Sequence, residues 1–198
     1  MLGNFSHIQT YVRLKNSGGF HHIIDRFKQV MINIGISFDD INSWILGINL
    51  QDDDTLYASI EDIPLSHDML VKVEKNKYIV NTSIITWTHK SKETWLELLI
   101  TVEGGDSTCK DKGFKNDDFI LKIMENLSDQ FNETGIYLSN EMQDGEAFIG
   151  LVENKIEKLW EFNAAIIPMP HLSFYKQMPK DFKRYNTHEG TNFFKRVI

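Results

Sequence analysis

The clearest alternation of apolar and polar positions lies in the middle of the chain. Tyr78 to Trp87 and Trp95 to Val102 are rich in Ile, Val, Thr and Trp, with the polar run Thr88-His89-Lys90-Ser91-Lys92-Glu93 between them. Side chains of that kind suit a pleated, half-buried surface, so the two runs predict an antiparallel hairpin. In the second run Leu96, Leu98 and Ile100 share one face, while Trp95, Glu97, Leu99 and Thr101 share the other. Glu97 is thus an acid set on a partly apolar face.

A different period brackets this hairpin. Ile23, Phe27, Val30, Met31 and Ile34 recur at helical spacing after Ser17-Gly18-Gly19, and Gly35 stands where a left-handed C-cap belongs. Ile36 to Leu50 is ambiguous; Phe38, Ile41, Trp44 and Ile45 are compatible with a short second helix capped by Ser37 or Asp39. Leu56 to Ile60 and Met69 to Val73 read as short strands. Downstream, Ile120, Ile123, Met124, Leu127 and Phe131 form the buried stripe of another helix. Asn116 is its candidate cap, Asp117 and Asp118 lie in its first turn, and Gly135 is its candidate stop.

Ile136-Tyr137-Leu138 and Ala147 to Val152 suggest a second hairpin around Gln143-Asp144-Gly145, and Asn154 to Trp160 a short helical turn. Ala164 to Pro170 reads as a strand ending in a proline corner, His171 to Tyr175 as another strand, and Asp181 to Ile198 as a closing helix. This order of hairpins and helices predicts an α+β fold with a mostly antiparallel sheet and helices packed on it. A single domain over residues 1–198 is the simplest reading. It would comprise an N-terminal helix and acidic segment (1–75) and a sheet and helix core (76–198).

Composition narrows the class. With 198 residues, 41% hydrophobic and 25% charged, the chain can bury one sizeable core. No apolar run approaches the roughly 20 residues that span a bilayer, and Met1-Leu2-Gly3-Asn4-Phe5-Ser6 has no secretory pattern. A single cysteine, Cys109, excludes an internal disulfide, so a cytoplasmic location is expected. The net charge is −7, but from Gln29 to Val71 there is no Lys or Arg. That segment holds Asp39, Asp40, Asp52, Asp53, Asp54, Glu61, Asp62 and Asp68. A one-sign field of this kind repels nucleic-acid phosphates and draws in basic partners. Nucleic acid and membrane surfaces are therefore not the expected partners.

Signals for chemistry are sparse. Asp52-Asp53-Asp54 fails as a calcium loop, because Leu56 and Tyr57 occupy the fifth and sixth positions, where a ligand and a glycine belong. Gly104-Gly105-Asp106-Ser107 lacks the Lys-Ser/Thr pair of a phosphate loop. The seven histidines contain no helical pair with a neighbouring acid, and no nucleophile-elbow serine occurs. No metal, cofactor or catalytic residue is expected. The competing reading is a small enzyme using cleft carboxylates such as Glu97 with Asp106, and an accessory binding protein of phage or bacterial origin is a further one. The basic C-terminal residues Lys180, Lys183, Arg184, Lys195 and Arg196 are explained by the dipole of the expected terminal helix.

Three segments together resemble the bacterial Suppressor-of-fused-like family. They are Ile167-Pro168 with Phe174-Tyr175-Lys176-Gln177-Met178-Pro179, Glu189-Gly190-Thr191-Asn192-Phe193-Phe194, and Trp95-Leu96-Glu97-Leu98-Leu99-Ile100 followed by the Phe119 to Phe131 helix. The chain departs from the family at Asn81-Thr82-Ser83, where the family carries Thr-x-Gly. The resemblance implies a non-enzymatic interaction domain of the polymorphic-toxin immunity group. Such a protein neutralises a cognate toxin, here a basic one such as a nuclease, by stoichiometric binding. The expected contact residues are Asp39, Asp40, Trp44, Asp52, Asp53, Asp54, Tyr57, Glu61 and Asp62, with carboxylates meeting Arg and Lys and aromatics acting as anchors.

Overall fold

The computed structural model describes residues 6–15, 17–45, 48–50, 56–58, 69–73, 76–88, 93–104, 118–139, 143, 145–186 and 192–197, with the side chains of 45, 49, 56–58 and 88 outside that description. Its elements run β1 (Ser6–Arg13), α1 (Phe20–Ile34), α2 (Phe38–Ile45), β2 (Ile48–Leu50), β3 (Leu56–Ala58), β4 (Met69–Val73), β5 (Asn76–Thr88) and β6 (Thr94–Gly104). Then come α3 (Asp118–Gln130), β7 (Ile136–Ser139), α4 (Glu146–Val152), β8 (Ala164–Ile167), β9 (Phe182–Asn186) and β10 (Asn192–Arg196). Short 3-10 turns cover Ile156–Lys158 and Met169–Tyr175.

Eight strands form one sheet in the order β4-β5-β6-β1-β7-β8-β10-β9, antiparallel at every pairing, and β2 pairs with β3 separately. The expected α+β architecture with an antiparallel sheet is therefore present. The predicted central hairpin is β5–β6, with Trp87 opposite Trp95 and Val80 opposite Val102.

One face of the sheet carries Ile8 and Val12 of β1, Leu96, Leu98 and Ile100 of β6, and Val80 of β5, all fully buried. Helices α1 and α3 cover it. Alpha-one brings Phe20, Ile23, Ile24, Phe27, Val30, Met31 and Ile34, and α3 brings Phe119, Ile120, Ile123, Met124 and Leu127. Each such large apolar side chain contributes roughly 1.5–3 kcal/mol when fully buried. Gly35 ends α1 as the spacing predicts. At φ 100° its N–H reaches the Ile32 carbonyl, and the Ile36 N–H reaches that of Met31, both at 3.0 Å. These two bonds close a Schellman motif, with buried Ile36 as its apolar plug.

The opposite face holds a second core, made largely of aromatics. Tyr11, Trp95, Tyr137, Phe148, Trp160, Phe162, Tyr175, Phe182 and Phe194 gather there beneath α4 and the two 3-10 turns. The two cores make three layers, with the sheet between.

Three expectations are corrected. Ala147 to Val152 is the helix α4 and not the second strand of a hairpin. Ala147 and Phe148 reach the aromatic core together with Leu151 and Val152, spaced one helical turn apart. His171 to Tyr175 is part of a 3-10 turn and not a strand, with Pro168 and Pro170 setting its start. The closing helix is replaced by the hairpin β9–β10, in which Phe182 and Phe194 alternate inward. Lys183, Arg184, Lys195 and Arg196 therefore stand on strands, and a helix dipole does not account for them. Strand β1, which no period in the foregoing reading pointed to, is at the centre of the sheet.

Candidate functional site

The expected contact residues fall partly on α2. Ser37 caps this helix: its Oγ accepts the Asp40 N–H at 3.1 Å and donates to Asp40 Oδ2 at 2.6 Å. The first of these bonds is an ordinary serine N-cap, and the second ties the cap hydroxyl to the Asp40 carboxylate. Asp40 is thereby committed to holding the helix start, whereas Asp39 is exposed in the first turn. Phe38, first residue of the helix, is 64% exposed and lies directly beside these two acids. Trp44 is not available as an anchor. It is only 6% exposed and packs edge-on against Phe27, ring centroids 6.0 Å apart, because Ile41 and Trp44 form the inward stripe of α2. Tyr57 stands opposite Asn49 in the β2–β3 pair, with its side chain outside the described residues. Asp52, Asp53, Asp54, Glu61 and Asp62 also lie outside the described residues, as do Cys109 and Asp106.

A second locus lies on the aromatic face, built by β5, β6, β1 and α4. Register places Ile85, Glu97 and Tyr11 in one row across the three strands, and Trp87, Trp95 and Arg13 in the next. Glu97 is 3% exposed, as its position on a partly apolar face implied. Its Oε2 accepts the Trp87 indole N–H at 2.6 Å. Phe148 of α4 lies flat on Tyr11, centroids 4.0 Å apart and planes 5° from parallel, and meets Trp95 edge-on at 5.1 Å. The Arg13 guanidinium covers the Trp95 ring at 4.8 Å and pairs with Glu93 at 3.4 Å. Gly145 is set close against this group: a Cβ there would come within 3.2 Å of the Trp87 ring and 3.5 Å of Tyr11 Oη.

Some buried polar atoms have no hydrogen-bond partner among the described residues. Gln9, 1% exposed, donates from Nε2 to Ser139 Oγ at 3.0 Å, while its Oε1 has no hydrogen-bond partner among the described residues. Gln143 Oε1 and Trp95 Nε1 are in the same condition. No family model, curated protein or solved structure matches this chain.

Several other polar groups are paired within the fold. Glu133 receives Ser17 Oγ and Arg26 Nη1, each at 3.0 Å, and its carbonyl meets His171 Nε2 at 2.8 Å. This joins α1, the turn before β7 and the last 3-10 turn, so His171 serves as a latch. Tyr137 and Tyr175 place their hydroxyls 3.3 Å apart in the aromatic core. Burial pushes the Tyr137 phenol up to about 12 and that of Tyr175 well above its usual range. Among the described residues no group of three or more His, Cys, Asp or Glu could hold a metal ion, and no helix is long and apolar enough to cross a membrane.

Glu97 stood out in the sequence as an acid on an apolar strand. Gln9, Tyr11 and Gln143 did not. The signal for the first two was present in Ser6 to Arg13, where Ile8, Thr10 and Val12 alternate with His7, Gln9, Tyr11 and Arg13. Gln143 sits in a polar segment with no period, and only its burial distinguishes it.

Proposed function

We propose that the protein is a cytoplasmic immunity or inhibitor protein that neutralises a basic toxin by stoichiometric binding, with the α2 surface as part of its contact. The observation that carries this reading is the pairing of Phe38, 64% exposed, with exposed Asp39 inside a stretch of chain that has eight acids and no cation. A large aromatic left in water at the start of a helix contributes nothing to the core, and exposed aromatics beside acids are the elements from which tight contacts with basic surfaces are built. Trp44 drops out of the contact set and Asp40 is reserved for the cap, so Phe38 and Asp39 carry the described part of the surface. The resemblance to Suppressor-of-fused-like immunity proteins points the same way.

Co-expression with the product of the adjacent reading frame, followed by size-exclusion chromatography and calorimetry, tests the reading. Phe38→Ala and Asp39→Lys should each weaken the complex at least about tenfold, and Asp39→Lys should also flatten its dependence on salt. A complex indifferent to both changes removes α2 from the interface. Absence of any complex with a basic partner removes the function.

A further inference from the structure

We propose that the outer edge of β9 is a docking site for an extended acidic segment of another protein, which adds to the eight-stranded sheet as a further strand. Strand β9 ends the sheet on the side opposite β4, and the claim does not depend on the α2 surface.

The backbone of β9 is half used. It pairs with β10 on one side, and among the described residues no strand pairs with it on the other. Beyond the pair, the Val197 N–H donates to the Asp181 carbonyl. In an antiparallel ladder, where hydrogen-bonded and open positions alternate, this sets Lys183 and Tyr185 to exchange N–H and C=O groups with β10. Arg184, between them, therefore turns its N–H and C=O outward. Phe182 turns its carbonyl the same way, while its N–H donates to the Pro179 carbonyl at 3.1 Å. Strand addition uses such an outward row: main-chain bonds give affinity, and alternate side chains give selectivity.

The side chains state which strand fits. From Phe162 to Ile198 six Lys or Arg stand against two acids, a local charge of +4 in a chain of −7. Asp181 and Arg196 pair with each other at 3.2 Å. Lys183 and Arg184 are exposed, and neither has a carboxylate within ion-pair distance among the described residues. Lys183 stands directly opposite Lys195 on β10, a like-charge arrangement that a neighbouring carboxylate relieves. On the other face Arg184 donates to Asn192 Oδ1 and lies 5.9 Å from the centre of the Phe194 ring. Its guanidinium is thereby oriented with donors to spare. Apolar groups flank both cations. Tyr185, 43% exposed, shares the Lys183 face, and Met169, 71% exposed, meets Asn192 Nδ2 on the Arg184 face. Two adjacent acids set beside Lys183 and Arg184, with an apolar residue on each side, match this edge. A second copy does not, because β9 against β9 sets these cations against one another. Anionic lipid would meet the charges and leave the outward backbone groups to water.

The experiment uses the whole protein and a labelled, capped peptide with the core valine-glutamate-glutamate-valine, followed by fluorescence anisotropy at low salt. Saturable binding is expected, with new protection of the Arg184 amide against hydrogen exchange. The same peptide N-methylated throughout keeps its charge, loses its backbone donors and should not bind. A lysine-for-glutamate peptide should not bind either. Lys183→Glu, a change at an exposed position, should weaken the acidic peptide at least about threefold. Vesicles of equal parts phosphatidylserine and phosphatidylcholine present negative charge without a strand. Vesicle binding without peptide binding would assign the edge to a lipid surface and overturn the proposal. So would equal binding of the N-methylated peptide, unchanged affinity in Lys183→Glu, or no saturable response to the acidic peptide.

Discussion

Removing the indole N–H of Trp87 should expose how the fold tolerates a carboxylate at Glu97. The acid is 3% exposed, and the Trp87 bond of 2.6 Å is a charge-assisted contact in a poorly hydrated place. Hydrogen bonds to charged groups contribute about 1.5–3 kcal/mol, and a buried charge that loses a donor forfeits that amount. Trp87→Phe should therefore destabilise by roughly 2–3 kcal/mol, more than the lost ring area alone predicts. Glu97→Leu removes the buried charge itself. The Trp87 N–H then loses its acceptor, so this single variant should cost about 1–3 kcal/mol, whereas replacing both partners by apolar groups is often close to neutral. In the double variant the penalty of Trp87→Phe should largely vanish, giving a coupling of about 1.5–3 kcal/mol. Urea unfolding followed by far-UV circular dichroism reads all four proteins on one scale. A coupling below about 0.5 kcal/mol would refute the claim that this bond holds the charge in place.

Three further outcomes are expected. Tyrosine unfolded ionises near 10 and Tyr137 folded near 12, because burial disfavours its charged form. The folded state holds this proton more tightly, so the contribution is complete below pH 10 and fades as pH rises from 10 to 12. Up to about 3 kcal/mol is at stake, and Tyr137→Phe should make unfolding stability shallower in that window; an unchanged slope contradicts the assignment. Gly104 ends β6 at φ 111°, and a Cβ would lie 2.5 Å from the Lys77 carbonyl oxygen, so Gly104→Ala should cost at least about 1–2 kcal/mol in chemical denaturation. An unchanged midpoint would show that the β5–β6 end relaxes freely. Ser37→Ala, which deletes the α2 cap, should cost about 1 kcal/mol, read from the thermal midpoint, and no loss would mean that Asp40 caps the helix unaided.

The parts of the fold that could be read from the residues are those with one apolar face and one wet one. Helix α1, helix α3, strand β5 and the Leu99–Glu103 half of β6 each alternate at their own period, and Gly35 supplies the stop that only a residue free to take positive φ supplies cheaply. Reading failed where both faces are covered. In β1, Gln9 and Tyr11 are buried under the second aromatic core, so its polar positions do not mark a solvent side. In α4, six nearly continuous apolar residues fit a buried strand as well as a helix, and only the stacking of Phe148 on Tyr11 decides between them. Asp181 to Ile198 read as a helix, yet Phe194 enters the aromatic core while Phe193 packs toward the other side, as alternate residues of a strand must. The site was half legible for the same reason. Glu97 was visible on a strand with clear alternation, while its neighbours come from β1 and from the segment before α4, and tertiary pairing alone brings them together.

The central position of β1 sets a timetable for synthesis. Ser6 must find Val102 on one side, and His7 must find Ser139 on the other. At about 5–20 residues per second the ribosome takes on the order of ten seconds to deliver both partners. Through that interval Ile8, Tyr11 and Val12 travel ahead of the strands that will enclose them. Lengthening that interval with slow codons before Ser139 should lower the yield of native protein.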